Sequence, residues 1–94
     1  MFKHVINSSH TYKSKHNIFF RYKKQPNPFI GFILSKKFGN AVVRNKFKNQ
    51  ARNLYKTFFK DLKVSIIVRP LKKGVSYNEL KKSFYDLSSH SNNT

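Results

Sequence analysis

The apolar residues of this chain change period once, and that change restricts the fold more than any other feature. From Asn17 to Lys24, Ile18, Phe20 and Tyr22 alternate with Phe19, Arg21 and Lys23, the period of two that turns one side of a strand inward. From Ala41 onward Val43, Phe47, Ala51, Leu54 and Phe58 recur at spacings of four, four, three and four, which sets them along one side of a helix. Asn40 stands where an N-cap can accept from the free amides of the first turn, and the helix is expected to run to about Lys60. Between strand and helix, Gln25-Pro26-Asn27-Pro28 reads as a turn, because neither proline can donate to a ladder. Phe29 to Ser35 reads as a second strand, the antiparallel partner of the first. Val64 to Val68 is a short, mostly β-branched apolar run that suits an inner strand. Pro70 and Gly74 mark a loop, Ser76-Tyr77-Asn78-Glu79 forms a capping box, and a last helix should turn Tyr77, Leu80, Phe84 and Leu87 inward. Phe2 to Ser8 has the makings of a short helix. The order points to an α+β fold, a small helix-on-sheet sandwich.

With 94 residues the chain has material for one modest core. No repeat or Gly/Ser linker divides it, so residues 2–87 are expected to form a single RNA-binding domain, followed by a polar, disordered tail over residues 88–94. The RNA in that expectation comes from charge. Twenty Lys and Arg face three acids, Asp61, Glu79 and Asp86, for a formal charge of +17. So one-sided a field is costly unless a polyanion neutralises it. A membrane is the other large polyanion, but no apolar run approaches the roughly 20 residues of a spanning helix, and Met1 to His10 lacks a signal-peptide pattern. A cytoplasmic location is expected, and the absence of cysteine suits a reducing compartment.

The cations concentrate on the long helix. At 100° per residue Arg44, Lys48 and Arg52 fall at relative angles of about 0°, 40° and 80°, beside the apolar stripe. Successive members stand about 6 Å apart, close to the phosphate spacing of a nucleic-acid strand. An ordinary solvated helix would interleave acids for i,i+4 pairing, whereas this one has none before Asp61.

The run Ser35-Lys36-Lys37-x-Gly39-Asn40-Ala41-Val42-x-Arg44-Asn45 resembles the signature of the bacterial ribonuclease P protein family, and the similarity continues through Val64-Ser65-Ile66-Ile67-Val68-Arg69-Pro70 and the helix from Tyr77 to Leu87. The resemblance implies an α+β fold with a left-handed βαβ crossover. It implies a non-catalytic protein subunit of an endoribonuclease whose catalytic RNA removes the 5′ leader of precursor tRNA, with Mg held mainly by that RNA. Carried over residue by residue, the helix that binds the catalytic RNA corresponds to Arg44, Asn45, Lys46, Lys48 and Arg52. A groove for the single-stranded leader corresponds to Phe2, Lys36, Lys37 and Arg69. Unpaired nucleotides are held by stacking and by cations that track the backbone, which these residue types supply. Phe2 suits a core position equally well. This chain has Lys46 where the family usually carries a third arginine, Asn49 in place of an expected cation, and Ile6 where a second groove aromatic is usual. It also begins later than typical members.

Two other readings share some of these features. A protein nuclease would need clustered carboxylates for its metal, which acids at positions 61, 79 and 86 do not readily provide, and His4, His10, His16 and His90 show no metal-ligand spacing. A ribosomal or other structural RNA-binding protein shares the size, charge and fold class. The run from Ser35 to Asn45 is what separates it from the favoured reading, whose partners are the catalytic RNA and precursor tRNA, with neither a membrane nor a small-molecule substrate.

Overall fold

The computed structural model describes residues 10–60 and 62–92. Strands β1 (His10–Lys13), β2 (Ile18–Lys24) and β3 (Ile30–Phe32) are followed by a 3-10 turn at Lys36–Phe38. Helix α1 (Ala41–Phe59), strand β4 (Val64–Pro70) and helix α2 (Tyr77–Asn92) complete the fold. The four strands form one mixed sheet in the order β1-β2-β4-β3.

The apolar run of β4 explains that order. Val64 to Val68 are all buried, so this strand needs a neighbour on each side. It pairs antiparallel with β2 over its whole length, from Ile18↔Pro70 to Lys24↔Val64, and parallel with β3 through Ile30↔Ile66 and Phe32↔Val68. The expected antiparallel pair of Phe29–Ser35 with the first strand is therefore corrected. A backbone bond from Gln25 N to the Lys63 carbonyl, 2.8 Å, ties the end of β2 to the start of β4, and the chain through Pro26 and Pro28 does not close a hairpin. Helix α1 instead bridges β3 and β4 as a βαβ unit. Strand β1, which no sequence periodicity marks, pairs with β2 from His10↔Tyr22 to Lys13↔Phe19. Its composition, His-Thr-Tyr-Lys, has no apolar alternation because it lies at the sheet edge.

Register and alternation divide the sheet into two faces. Ile18, Phe20, Tyr22, Val64, Ile66 and Val68 join Phe47, Ala51, Leu54, Phe59, Leu80, Phe84 and Leu87 in one core. The Phe20 ring meets Phe84 edge-on at 5.3 Å between centroids. The opposite face carries Phe19, Arg21, Ser65, Ile67 and Arg69, with Arg69 directly across from Phe19. Phe19 thus lies on the face that the alternation turns away from the core, and the Arg21 guanidinium lies over its ring at 5.5 Å.

The helices start as their sequences predict. Asn40 Oδ1 accepts from Val43 N at 3.0 Å. The capping box closes reciprocally, Glu79 N donating to Ser76 Oγ and Ser76 N to Glu79 Oε1, both at 3.1 Å. At the far end of α1 the Tyr55 hydroxyl donates to the Val64 carbonyl at 2.6 Å, and burial raises its pKa. The inward stripes differ from expectation at their ends. Val43 and Tyr77 lie in first turns, ahead of the packed part of each helix, and are 44% and 45% exposed. Phe58 is half-buried while Phe59 is buried, its ring 6.4 Å from Phe84. Helix α2 does not fray at Ser88. Ser88 is buried, and the His90 ring packs 4.9 Å from Tyr12 and 6.2 Å from Tyr22. Those contacts carry the helix through Asn92, so the tail expected from residue 88 is helical over most of its length.

Candidate RNA interface

The cations of α1 stand where the periodicity puts them. Arg44 and Lys48 are half-buried at the margin of the core stripe, while Asn45, Lys46 and Arg52 are exposed. The Arg52 guanidinium lies 5.5 Å over the ring of Phe32, a cation–π contact that steadies a long side chain and leaves its donors outward. Arg52 also donates to Asn49 Oδ1 at 3.3 Å. Asn49, the position that lacks an expected cation, thus orients a neighbouring one.

Lys36 and Lys37 are exposed on the 3-10 turn just before α1, and Phe38 anchors that turn in the core against Phe47 at 4.9 Å. The turn and the helix cap are continuous, which fixes the two lysines relative to Arg44. Lys37 and Arg69 come together across a cleft of about 450 Å³ whose wall includes Lys72 and Lys73. Lys36 does not line it, and Phe2 lies outside the described residues. Lys72 and Lys73 line the cleft without being singled out by the sequence pattern. Their signal was present as a basic pair shortly after Pro70, in the loop that the strand's end carries to the same edge.

Electrostatics separates the two lysines. Lys72 Nζ pairs with Glu79 Oε2 at 2.9 Å, and that bond, with the Ser76 amide, holds the Glu79 carboxyl at a pKa of about 2. Lys73 is exposed beside it. Among the described residues no group of three or more His, Cys, Asp or Glu side chains is placed to hold a metal ion. The described residues therefore supply no clustered carboxylates for Mg. No helix among the described residues is long and apolar enough to cross a membrane. What the arrangement offers is phosphate contact along α1 and a cationic cleft beside it.

Known proteins share this fold. The Ribonuclease P family model matches residues 1–91. The Ribonuclease P protein component of Lactococcus lactis subsp. cremoris is 29% identical over 86 residues, covering 87% of this chain and 74% of that protein. The corresponding component of Bacillus cereus is 44% identical over 66 residues, 65% of this chain and 56% of its own length. The RNase P protein from Thermotoga maritima superposes with a TM-score of 0.76 over 95% of this chain and 89% of its own, at 19% identity. The Staphylococcus aureus RNase P protein gives 0.74 over 96% and 87%, at 23% identity. With a family model spanning nearly its whole length, the chain belongs to the bacterial ribonuclease P protein family.

Proposed function

We propose that this chain is the protein component of ribonuclease P and acts in tRNA 5′ maturation, docking on the catalytic RNA through α1 and holding the 5′ leader of precursor tRNA in the adjoining cleft. The observation that carries the reading is the continuity of the two surfaces. The turn that carries Lys36 and Lys37 runs directly into the capped start of α1, which carries Arg44, while Lys37 also lines the cleft with Arg69. Arg44, Asn45, Lys46, Lys48 and Arg52 contact phosphates, which positions the protein on RNA without reading sequence. Arg69, Lys36 and Lys37 track the backbone of the unpaired leader, with Phe2 offering a ring for a base.

The protein's part is to bind and to screen. Two phosphate chains brought side by side repel, and a cationic wedge between them lowers that repulsion. The chemistry and its Mg belong to the RNA, and the site of action is the cytoplasm. Pull-down of the tagged chain from cells, with sequencing of the retained RNA, tests the reading. One abundant non-ribosomal RNA together with tRNAs that still carry 5′ extensions is the expected catch. Recovery of ribosomal RNA, with the chain co-sedimenting with ribosomal subunits, would refute it, as would robust Mg-dependent cleavage of precursor tRNA by the RNA-free protein.

A further inference from the structure

A second cleft lies away from the Lys37–Arg69 wall, between the β1–β2 turn, the end of α1 and the outer side of α2. It encloses about 560 Å³ and is lined by Lys15, His16, Phe58, Lys81, Lys82 and Tyr85, a size within the roughly 300–1,000 Å³ of small-ligand pockets. We infer that this cleft is an additional single-stranded RNA site, taking one unpaired nucleotide with its base against Tyr85 and its phosphates among Lys15, Lys81 and Lys82.

Three observations converge on it. Tyr85 is 59% exposed, on a helix whose Leu80, Phe84 and Leu87 are buried. Its ring is nonetheless braced, standing edge-on to half-buried Phe58 at 6.0 Å between centroids and 69° between planes. An exposed aromatic held in place from behind is a stacking platform, and stacking is tolerant of base identity.

The cations around it form no ion pair among the described residues. Among the described residues the one ion pair within 4.0 Å joins Lys72 to Glu79, so Lys15, Lys81 and Lys82 have no carboxylate partner there. A single acid, Asp86, also lines the cleft. It disfavours a bare anion and offers an acceptor to a ribose 2′-hydroxyl or a base amino group, which suits a nucleotide of RNA.

The third observation is that the basic turn is fixed. Ser14 and Ser83 are buried and share a hydrogen bond of 2.6 Å, and Ser83 donates to the Glu79 carbonyl at 2.8 Å. His16 N donates to Ser14 Oγ at 3.0 Å, and Leu71 N donates to the Asn17 carbonyl at 2.8 Å. Asn17 itself takes φ of 63°, a conformation that Asn tolerates. Lys15 and His16 are thereby held against α2, so the cleft is largely organised before a ligand arrives.

The test uses the full-length chain carrying R44A, R52A and R69A, which weakens the surfaces assigned above, and a fluorescent uridine hexamer read by anisotropy. No catalytic RNA is present, so the result is independent of whether α1 docks on it. Residual binding is expected, and adding Tyr85→Leu should weaken it about tenfold, the scale of one lost base stack. Tyr85→Phe, which keeps the ring, should leave it within about twofold. Lys81→Ala with Lys82→Ala should weaken it and flatten its salt dependence. The inference is overturned if the triple variant no longer binds the hexamer, if adding Tyr85→Leu leaves its affinity unchanged, or if inorganic tripolyphosphate displaces the hexamer as readily from Tyr85→Leu as from Tyr85→Phe. Equal melting temperatures of the Tyr85 variants establish that any loss is local.

Discussion

Replacing Gly39 by Ala tests why glycine stands in the motif that joins the lysine turn to α1. A Cβ placed on Gly39 would lie 2.6 Å from Val43 Cγ1 and 2.8 Å from Val43 Cβ. The Cγ1 contact can be relieved by rotating Val43, but the Cβ contact can be relieved only by moving backbone. The backbone in question is capped, since Val43 N is the amide that donates to Asn40 Oδ1. Gly39 has φ of 161° and ψ of 177°, extended values open to any residue, so no dihedral strain enters the comparison. Overpacking costs about 1–3 kcal/mol, and the partly exposed Val43 keeps it toward the lower end. Restricting the unfolded chain returns about 0.4–1 kcal/mol. A net loss of about 1 kcal/mol follows, or roughly 4–8 °C in Tm for a domain of this size, with weaker binding to the catalytic RNA because Arg44 and Asn45 follow the shifted turn. The assay is a double-mutant cycle with Val43→Gly, followed by thermal and urea unfolding. In the Val43→Gly background the cost of Gly39→Ala should disappear. If the two substitutions add within about 0.5 kcal/mol, the contact is not the cause and the explanation of Gly39 fails.

Arg44→Ala with Arg52→Ala should weaken assembly with the catalytic RNA for every substrate and reduce the slope of log affinity against log salt by about 1.4–1.8, two phosphate contacts' worth. A salt titration showing an unchanged slope would remove those residues from the interface. Phe2→Ala with Arg69→Ala should leave assembly intact but shrink the preference for precursor over mature tRNA, by about 1–3 kcal/mol for each base no longer stacked. Equal losses in both quantities, measured as affinity ratios, would mean one surface and not two. Glu79 has a folded-state pKa of about 2, below its ordinary 4.5. Its contribution to stability is therefore complete above about pH 4.5 and is lost as pH falls toward 2. Glu79→Gln should flatten the decline of Tm over that window, and an unchanged acid limb would refute the assignment.

Much of this molecule was legible because local chemistry and packing agree. Asn40 and the Ser76–Glu79 box announced two helix starts, and both caps close with the expected bonds. The alternation around Phe20 placed β2, and the four-residue spacing of Arg44, Lys48 and Arg52 placed a cationic strip beside the core. What was not legible depends on pairing between distant segments. Nothing within Ile30–Phe32 says that its partner lies beyond a helix, and only the demand of β4 for two neighbours puts β4 between β2 and β3. The same limit applies to function. Lys37 and Arg69 can be set in one groove by resemblance, but Lys72 and Lys73 join them only once β4 brings its following loop to that edge. Tyr85 gives the sharpest case. Its spacing from Leu80 and Phe84 marks it as off the core stripe, an unremarkable surface residue in sequence. It becomes a platform only where Phe58 braces it and the Ser14–Ser83 bond brings Lys15 alongside. Charge can therefore be counted from composition, whereas a binding surface arises where topology sets cations from separate segments around a ring whose position the core already fixes.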